Sequence, residues 1–531
     1  MTSQTHPRGH AEPSAPPPPA PRTLRAGIAG ILSAAIAIAA GEFLAGLIPG
    51  ARSLFLSVGD QVIDLAPSQV KEFAVAVFGT ADKIALLVGI GIFLVLFAIG
   101  VGLAAVRRFA LGAGGVVVLG LIGALASANQ AFDASLAVAL LPALVGTVAG
   151  ILALRFLVAP ATPGEQAGES RGQGVDRRGF LRAAGLVTVV AAGLGGAGRF
   201  LQQRASAAAS RAGLALPRAD RSLPPIPDSV MVDVEGVAPF VTPNADFYRI
   251  DINLQVPSVP IEGYRLRVTG MVDNPLELAF ADLEAMELIE TDITLTCVSN
   301  EVGGRLIGNA RWLGVRLSDV LERAGVQQGA TQIVGRSVDG YTCGFPVEAA
   351  FDGRDAIIAI GMNGEPLPLE HGFPVRLVTP GLYGYLSATK WLAEIELTTF
   401  AALDHYWERR GWAEQAPIKT QSRIDVPRGF AQLAPGRVAV AGVAWAQTRG
   451  ISKVEVQVDD GPWTPARLAE ALNDKTWRQW VYEWDATPGN HQLRVRATDE
   501  TGETQSQERV PPIPDGATGW HGIFVRVQED G

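Results

Sequence analysis

Ile84 to Val106 carries no charged residue, and at 1.5 Å per residue such a helix is roughly 34 Å long, enough to cross a hydrocarbon layer of about 30 Å. A run of this kind excludes a chain that folds wholly in water. Gly27 to Ile48, Phe109 to Ala128 and Ala134 to Val158 are similar, interrupted only by Glu42 in the first and by Pro142 and Arg155 in the last. They predict an N-terminal all-α bundle of four transmembrane helices over 26–158, preceded by a disordered cytoplasmic tail, 1–25, rich in Pro, Ala and Ser. A hydrophobic fraction of 48% and a mean hydropathy of +0.21 agree.

Ala51 to Asp82 mixes Asp60, Asp64, Lys71 and Glu72 with apolar residues, which suits the membrane interface. Arg22, Arg25, Arg107, Arg108, Arg155, Arg171, Arg177, Arg178 and Arg182 fall at alternate ends of the spans, so the positive-inside bias puts the N-terminus in the cytoplasm. Region 159–203 reads as a cytoplasmic linker and a fifth transmembrane helix. Its segment Asp176-Arg-Arg-Gly-Phe-Leu-Arg182 resembles a twin-arginine export signal, which would carry everything after about residue 204 out of the cytoplasm. Glu42 is the one acid within a span, a candidate proton or quinone site or, near the outer end of that span, a solvated carboxylate.

Pro217, Pro224, Pro225 and Pro227 mark 204–228 as a linker unable to hold a helix. Strand alternation at Tyr264 to Gly270, with helical spacing at Phe280 to Leu288 and Leu317 to Ala324, makes 229–402 an α+β domain without a phosphate-loop motif. From about Arg437 the pattern is pure alternation, Val454, Val456 and Val458 against Lys453, Glu455 and Gln457, then Leu493, Val495 and Ala497 against Arg494 and Arg496. Region 403–531 is therefore expected to be an immunoglobulin-like β-sandwich with Trp477, Trp480 and Trp484 in its core or at an interface.

The chain has 2 cysteines. Cys297, in Thr294-Leu-Thr-Cys-Val-Ser-Asn300, is a candidate metal-binding thiolate, against the alternatives of a buried structural thiol or a disulfide with Cys343. A net charge of -9 and no concentrated basic face exclude a nucleic-acid partner. Histidine occurs only at 6, 10, 371, 405, 491 and 521, so no bis-histidine haem can be built among the membrane helices, and none is expected in this chain.

Thr294 to Asn300, Ala310-Arg-Trp-Leu-Gly-Val-Arg-Leu-Ser-Asp-Val-Leu321, Met362-Asn-Gly-Glu-Pro-Leu-Pro368, His371-Gly-Phe-Pro-Val-Arg376 and Lys390-Trp391 together resemble the sulfite oxidase family of molybdopterin enzymes. Trp480 to Trp484 and His491 to Asp499 look like that family's dimerisation domain, so the resemblance covers about 228–530. It implies that Cys297 ligates molybdenum beside the dithiolene of one molybdopterin, with Cys343 left as a packed strand residue. It implies that His371, Arg376, Thr389 and Lys390 hold the pterin and its phosphate, and that Asn244, Tyr248, Arg249 and Ser337 contact the cofactor. Soft sulfur ligands and a bidentate arginine suit such a group.

Two positions depart from the family. Ala359-Ile-Gly361 stands where sulfite oxidases place a tyrosine over the metal, and Pro243 where they carry an arginine beside the first-loop asparagine. Both losses weaken sulfite as the substrate, since an oxyanion needs cationic donors at the metal; methionine-sulfoxide-reducing relatives also lack those groups, and Arg249 is a candidate catalytic cation. The expectation is oxygen-atom transfer on a small sulfoxide or sulfite, at the extracytoplasmic face of a bacterial cell membrane. Electrons would pass through a separate carrier, a haem protein or quinone-linked subunit, with a homodimer as the expected assembly. A non-catalytic cell-surface scaffold that keeps the fold is the competing reading.

Overall fold

The computed structural model describes residues 22–48, 51, 53–66, 82–129, 136–158, 177–204, 207–252 and 256–528. The expected tail (but for 22–25), much of the interfacial stretch and the 159–176 linker with Asp176 lie outside them. The chain divides into two compact units, 1–202 and 203–531.

The first unit holds α1 (Arg22–Leu47), α2 (Leu54–Leu65), α3 (Asp82–Arg107), α4 (Phe109–Asn129), α5 (Leu136–Val158) and α6 (Arg177–Arg204). Among the described residues, five helices are long and apolar enough to cross a membrane: Thr23–Leu47, Ala85–Arg107, Phe109–Asn129, Leu136–Val158 and Gly179–Gly198. Lipid tails are as apolar as leucine, so close helix contact comes from small residues and interhelical hydrogen bonds rather than from the hydrophobic effect. Gly30 of α1 and Gly102 of α3 meet so closely that a Cβ on either would collide with the other helix's backbone. Ser33 Oγ donates to the Gly150 carbonyl of α5 at 2.8 Å. Glu42, the acid expected at a proton or quinone site, accepts from Ser53 Oγ at 2.8 Å and from Phe55 N at 3.4 Å, and so caps the start of α2.

The second unit opens with α7 (Ala207–Gly213), a correction to the expected helix-free linker: its residues are alanine-rich and the prolines begin only at 217. This segment is fastened down. Arg211 donates to the Leu367 and Pro366 carbonyls and pairs with Glu365 at 2.9 Å, and Leu223 N donates to Glu290 at 2.7 Å.

A mixed sheet follows, built from β1 (Arg265–Gly270) and β2 (Leu276–Ala279), with α8 (Phe280–Glu284) after them. The helix expected over Phe280 to Leu288 stops early because Leu288 opens β3 (Leu288–Thr296), nearly every residue of which is buried. Its Ile and Thr content suits a two-sided strand. β3 pairs with β4 (Ile307–Arg316), and α9 (Leu317–Ala324) turns Leu317, Val320, Leu321 and Ala324 into the core and ends on Gly325 at φ 70°. β5 (Gln332–Ser337), β6 (Thr342–Pro346), β7 (Ile357–Met362), β8 (Glu365–Pro366), β9 (Arg376–Val378), α10 (Gly384–Ser387) and β10 (Leu392–Thr398) complete the region. One sheet runs β2-β1-β10-β5-β6, the other β3-β4-β7-β8 with β9 on β7. Cys343 is fully buried in β6, and both cysteines are free thiols.

The C-terminal part has β11 (Gln421–Val426), β12 (Gln432–Leu433), β13 (Gly436–Trp445), β14 (Ile451–Val458), β15 (Thr464–Pro465), β16 (Arg467–Leu468), β17 (Arg478–Ala486), β18 (Gly489–Asp499) and β19 (His521–Val527). They form sheets β11-β13-β17-β16 and β12-β19-β18-β14-β15, and Val440, Val454, Trp480, Trp484, Leu493 and Val525 fill the space between them. Trp477 lies apart, its Nε1 donating to the Phe240 carbonyl at 2.9 Å and its backbone N to Thr294 Oγ1 at 2.8 Å. It ties the sandwich to β3.

Candidate active site

Cys297 is the first residue past β3, where chain reversal replaces the strand ladder: its N–H donates to the Leu306 carbonyl at 2.9 Å and its carbonyl accepts from Asn300 N at 3.0 Å. The residue, 7% exposed, lines a cavity of about 200 Å³. Burial pushes its thiol pKa up, and Ser299 Oγ lies 2.9 Å from the sulfur. A thiol in this setting needs a metal cation to hold it as thiolate.

Tyr248, Ser337, His371, Arg376 and Lys390 line the same cavity. Arg376, 5% exposed, points its guanidinium along carbonyls, donating to His371 O at 3.0 Å and Ala388 O at 3.3 Å, and lies 5.0 Å from the Trp312 ring centroid. Among the described residues no carboxylate pairs with it, and burial pulls its pKa down to about 10. A buried guanidinium without a counter-ion is costly unless a ligand supplies the anion. The His371 Nε2–H donates to the Asn244 carbonyl at 3.0 Å, and burial next to Arg376 drops the ring's pKa to about 4, so the imidazole is neutral. Gly372, at φ 109°, brings its backbone against Lys390, where a Cβ would sit 3.0 Å from the lysine Cα.

Lys390 Nζ reaches Asp251 at 3.2 Å and the Glu370 carbonyl at 3.1 Å, with burial lowering its pKa to about 8. Trp391 after it holds φ 50°, a strained conformation for a tryptophan. Asn244 and Thr389 sit behind the wall: Asn244 Nδ2 donates to the Met362 carbonyl at 3.3 Å, and Thr389 Oγ1 to the Gly335 carbonyl at 3.4 Å. Arg249, expected as the catalytic cation, is not among the lining residues. Its side chain is 40% exposed and pairs at 2.6 Å with the buried Asp251, which draws the guanidinium aside. In the stretch Ala359 to Gly361, which stands where the family places its tyrosine, Ala359 and Ile360 are fully buried.

Sequence reading missed an aromatic part of the lining. Tyr341, Tyr385, Trp407 and Trp412 line the cavity, along with Asp251 and Asp339. Apart from Tyr385, in the single-turn α10, these residues come from turns and loops, where no periodicity singles them out.

Among the described residues no group of three or more His, Cys, Asp or Glu is arranged to hold a metal ion. A metal on Cys297 must therefore bring its remaining ligands with it. The uncompensated Arg376 and the neighbouring Lys390 suit an anionic cofactor that does so, as molybdopterin with its dithiolene and phosphate would.

Residues 253–407 match the family model described as oxidoreductase molybdopterin binding domain. An uncharacterised oxidoreductase of Bacillus subtilis, YuiH, is 38% identical over 151 residues, 28% of this chain and 72% of that protein. Human mitochondrial sulfite oxidase is 30% identical over 341 residues, 54% of this chain and 62% of the human protein. The chain belongs to the sulfite oxidase family. As a member of the sulfite oxidase family it spans less than two thirds of the animal sulfite oxidases it matches. The crystal structure of the sulfane dehydrogenase SoxCD from Paracoccus pantotrophus covers 55% of the chain with a TM-score of 0.49 and 24% identity.

Proposed function

We propose that this chain is a membrane-anchored molybdopterin oxidoreductase that transfers an oxygen atom to or from a small substrate, a sulfoxide or sulfite, outside the cytoplasm. The observation that carries the reading is the convergence of a buried thiol, Cys297, and a buried, carboxylate-free cation, Arg376, on one cavity. Molybdenum–molybdopterin would be held by the Cys297 sulfur, with Arg376 and Lys390 on its phosphate and His371 and Tyr248 against its body. When bound, the cofactor supplies the two-electron oxygen-atom chemistry.

The chain's own residues do the rest. Asn244 fixes His371 with its Nε2 protonated, leaving Nδ1 as an acceptor toward a ring N–H. Tyr248, whose pKa burial raises, keeps its hydroxyl proton and can donate it in hydrogen bonds. Phe247 stacks on Tyr248 with ring centroids 5.3 Å apart and meets His371 edge-on at 5.5 Å, holding both rings and excluding water.

The alternation of arginines along the spans supports a cytoplasmic N-terminus and an extracytoplasmic second unit, delivered by the twin-arginine-like segment. The facing sheets of the C-terminal part suit an immunoglobulin-like module pairing two copies. A separate haem protein or quinone-linked subunit would carry electrons. Metal and pterin analysis of the full-length protein, purified after cofactor-replete expression, tests the core of this reading: about one molybdenum per chain is expected, and its absence overturns the assignment.

A further inference from the structure

Tyr341, Tyr406, Trp407, Trp412 and Tyr385 form an unbroken row of rings, with successive centroids 5.6, 5.2, 6.2 and 5.8 Å apart. All but Tyr406 line the cavity, and Trp407 and Trp412 are half-buried. The loop between them is closed on itself, Trp412 N donating to the Trp407 carbonyl at 3.2 Å, so the two indoles are presented by a fixed turn. Arg410 is not among the lining residues. Its guanidinium lies 3.5 Å from the Tyr406 ring centroid and donates to the Tyr406 carbonyl.

The charges lining the cavity are few. Arg376 and Lys390 are the cations, Asp251 and Asp339 the carboxylates, and His371 is neutral. Asp251 already engages both Lys390 and Arg249. An anionic pterin phosphate would take up Arg376 and Lys390, after which no lining cation remains among the described residues for a second anion. Stabilising an oxyanion in such a site requires positioned cationic donors. An aromatic wall instead favours uncharged organic surface, which it desolvates and stacks upon.

From this we infer that Trp407 and Trp412 are specificity-determining residues that bind the organic substituent of an uncharged sulfoxide, and that the cavity discriminates against sulfite. The inference rests on the molybdopterin reading above and selects one of its substrate classes. In the reaction the substrate's S–O bond breaks, two electrons arrive from an external one-electron carrier, and the oxygen leaves with two protons as water, giving the thioether.

The test uses the full-length, cofactor-loaded enzyme in detergent, with reduced viologen dye as donor for methyl phenyl sulfoxide and dimethyl sulfoxide, and ferricyanide as acceptor for sulfite. The expected order of kcat/KM is methyl phenyl sulfoxide over dimethyl sulfoxide by about tenfold, a difference of about 1.4 kcal/mol, with sulfite oxidation far below both. Trp407→Ala and Trp412→Ala each raise KM for methyl phenyl sulfoxide about tenfold, raise it less for dimethyl sulfoxide, whose smaller substituents have less surface to stack, and are rescued by Trp→Phe. Independently of turnover, methyl phenyl sulfone, which cannot donate its oxygen here, quenches wild-type tryptophan fluorescence and quenches both variants less. Sulfite turnover equal to or above the sulfoxides overturns the inference while leaving the molybdopterin reading intact. So does a loss of molybdenum content in both alanine variants, which would make the indoles cofactor supports. Wild-type enzyme without molybdenum overturns both readings.

Discussion

Gln447 of the sandwich donates from Nε2 to the Thr294 carbonyl at 3.0 Å and to Thr296 Oγ1 at 3.1 Å, gripping β3 one residue before Cys297. Thr294 N donates to the Lys475 carbonyl at 3.0 Å, and Thr294 Oγ1 accepts from Trp477 N. The Cys297 sulfur is thus positioned by the part of the chain that supplies none of the cavity's cations.

Gln447→Ala leaves buried acceptors without a donor, which costs about 1–3 kcal/mol. Thermal unfolding should move down by several degrees, and kcat should fall about tenfold with KM little changed, because a small displacement of the metal-side ligand is amplified in rate. Calorimetry and steady-state kinetics on the same preparation check both. A stability loss with unaltered kcat would reduce Gln447 to a structural tie.

Arg376→Met replaces a buried, uncompensated cation with an apolar side chain of similar reach. The cofactor-free variant should be more stable than the cofactor-free wild type, by about 1–4 kcal/mol if the guanidinium is as poorly solvated as its position implies. Pterin released on oxidation of the purified variant should drop to a small fraction of wild type. Full pterin content would show that the phosphate is held elsewhere.

Burial holds His371, His405 and His521 at pKa values of about 4, below the usual histidine value near 6.5. Between pH 6.5 and 4 the unfolded chain binds protons that the folded chain refuses, so stability rises with pH across that window and is lost as pH falls through it. Denaturant midpoints measured from pH 7 to 4 should decline, and His405→Phe should shallow the slope by up to one proton. A flat profile would show these imidazoles to be protonated in the fold.

Much of this was legible in the sequence because the signals are local. An uncharged run of membrane length, the α9 spacing of Leu317, Val320, Leu321 and Ala324, and the Cys297, His371, Arg376 and Lys390 motifs each carry their chemistry within a few residues. What was not legible depends on side-chain direction and on distant partners. Arg249 stands beside the correct loop yet turns to Asp251; α7 forms because alanines precede the prolines; and the aromatic wall is assembled from Tyr341, Tyr385, Trp407 and Trp412, which only the fold brings together. The strand at Leu288 overrode a helical spacing because β-branched residues buried on both faces favour a sheet.

The most direct measurement is X-ray absorption at the molybdenum edge of wild-type protein and of Cys297→Ser, paired with turnover. The account expects the sulfur count at the metal to fall by one in the variant and turnover to be lost, with the fold retained. An unchanged sulfur shell with turnover preserved would contradict it.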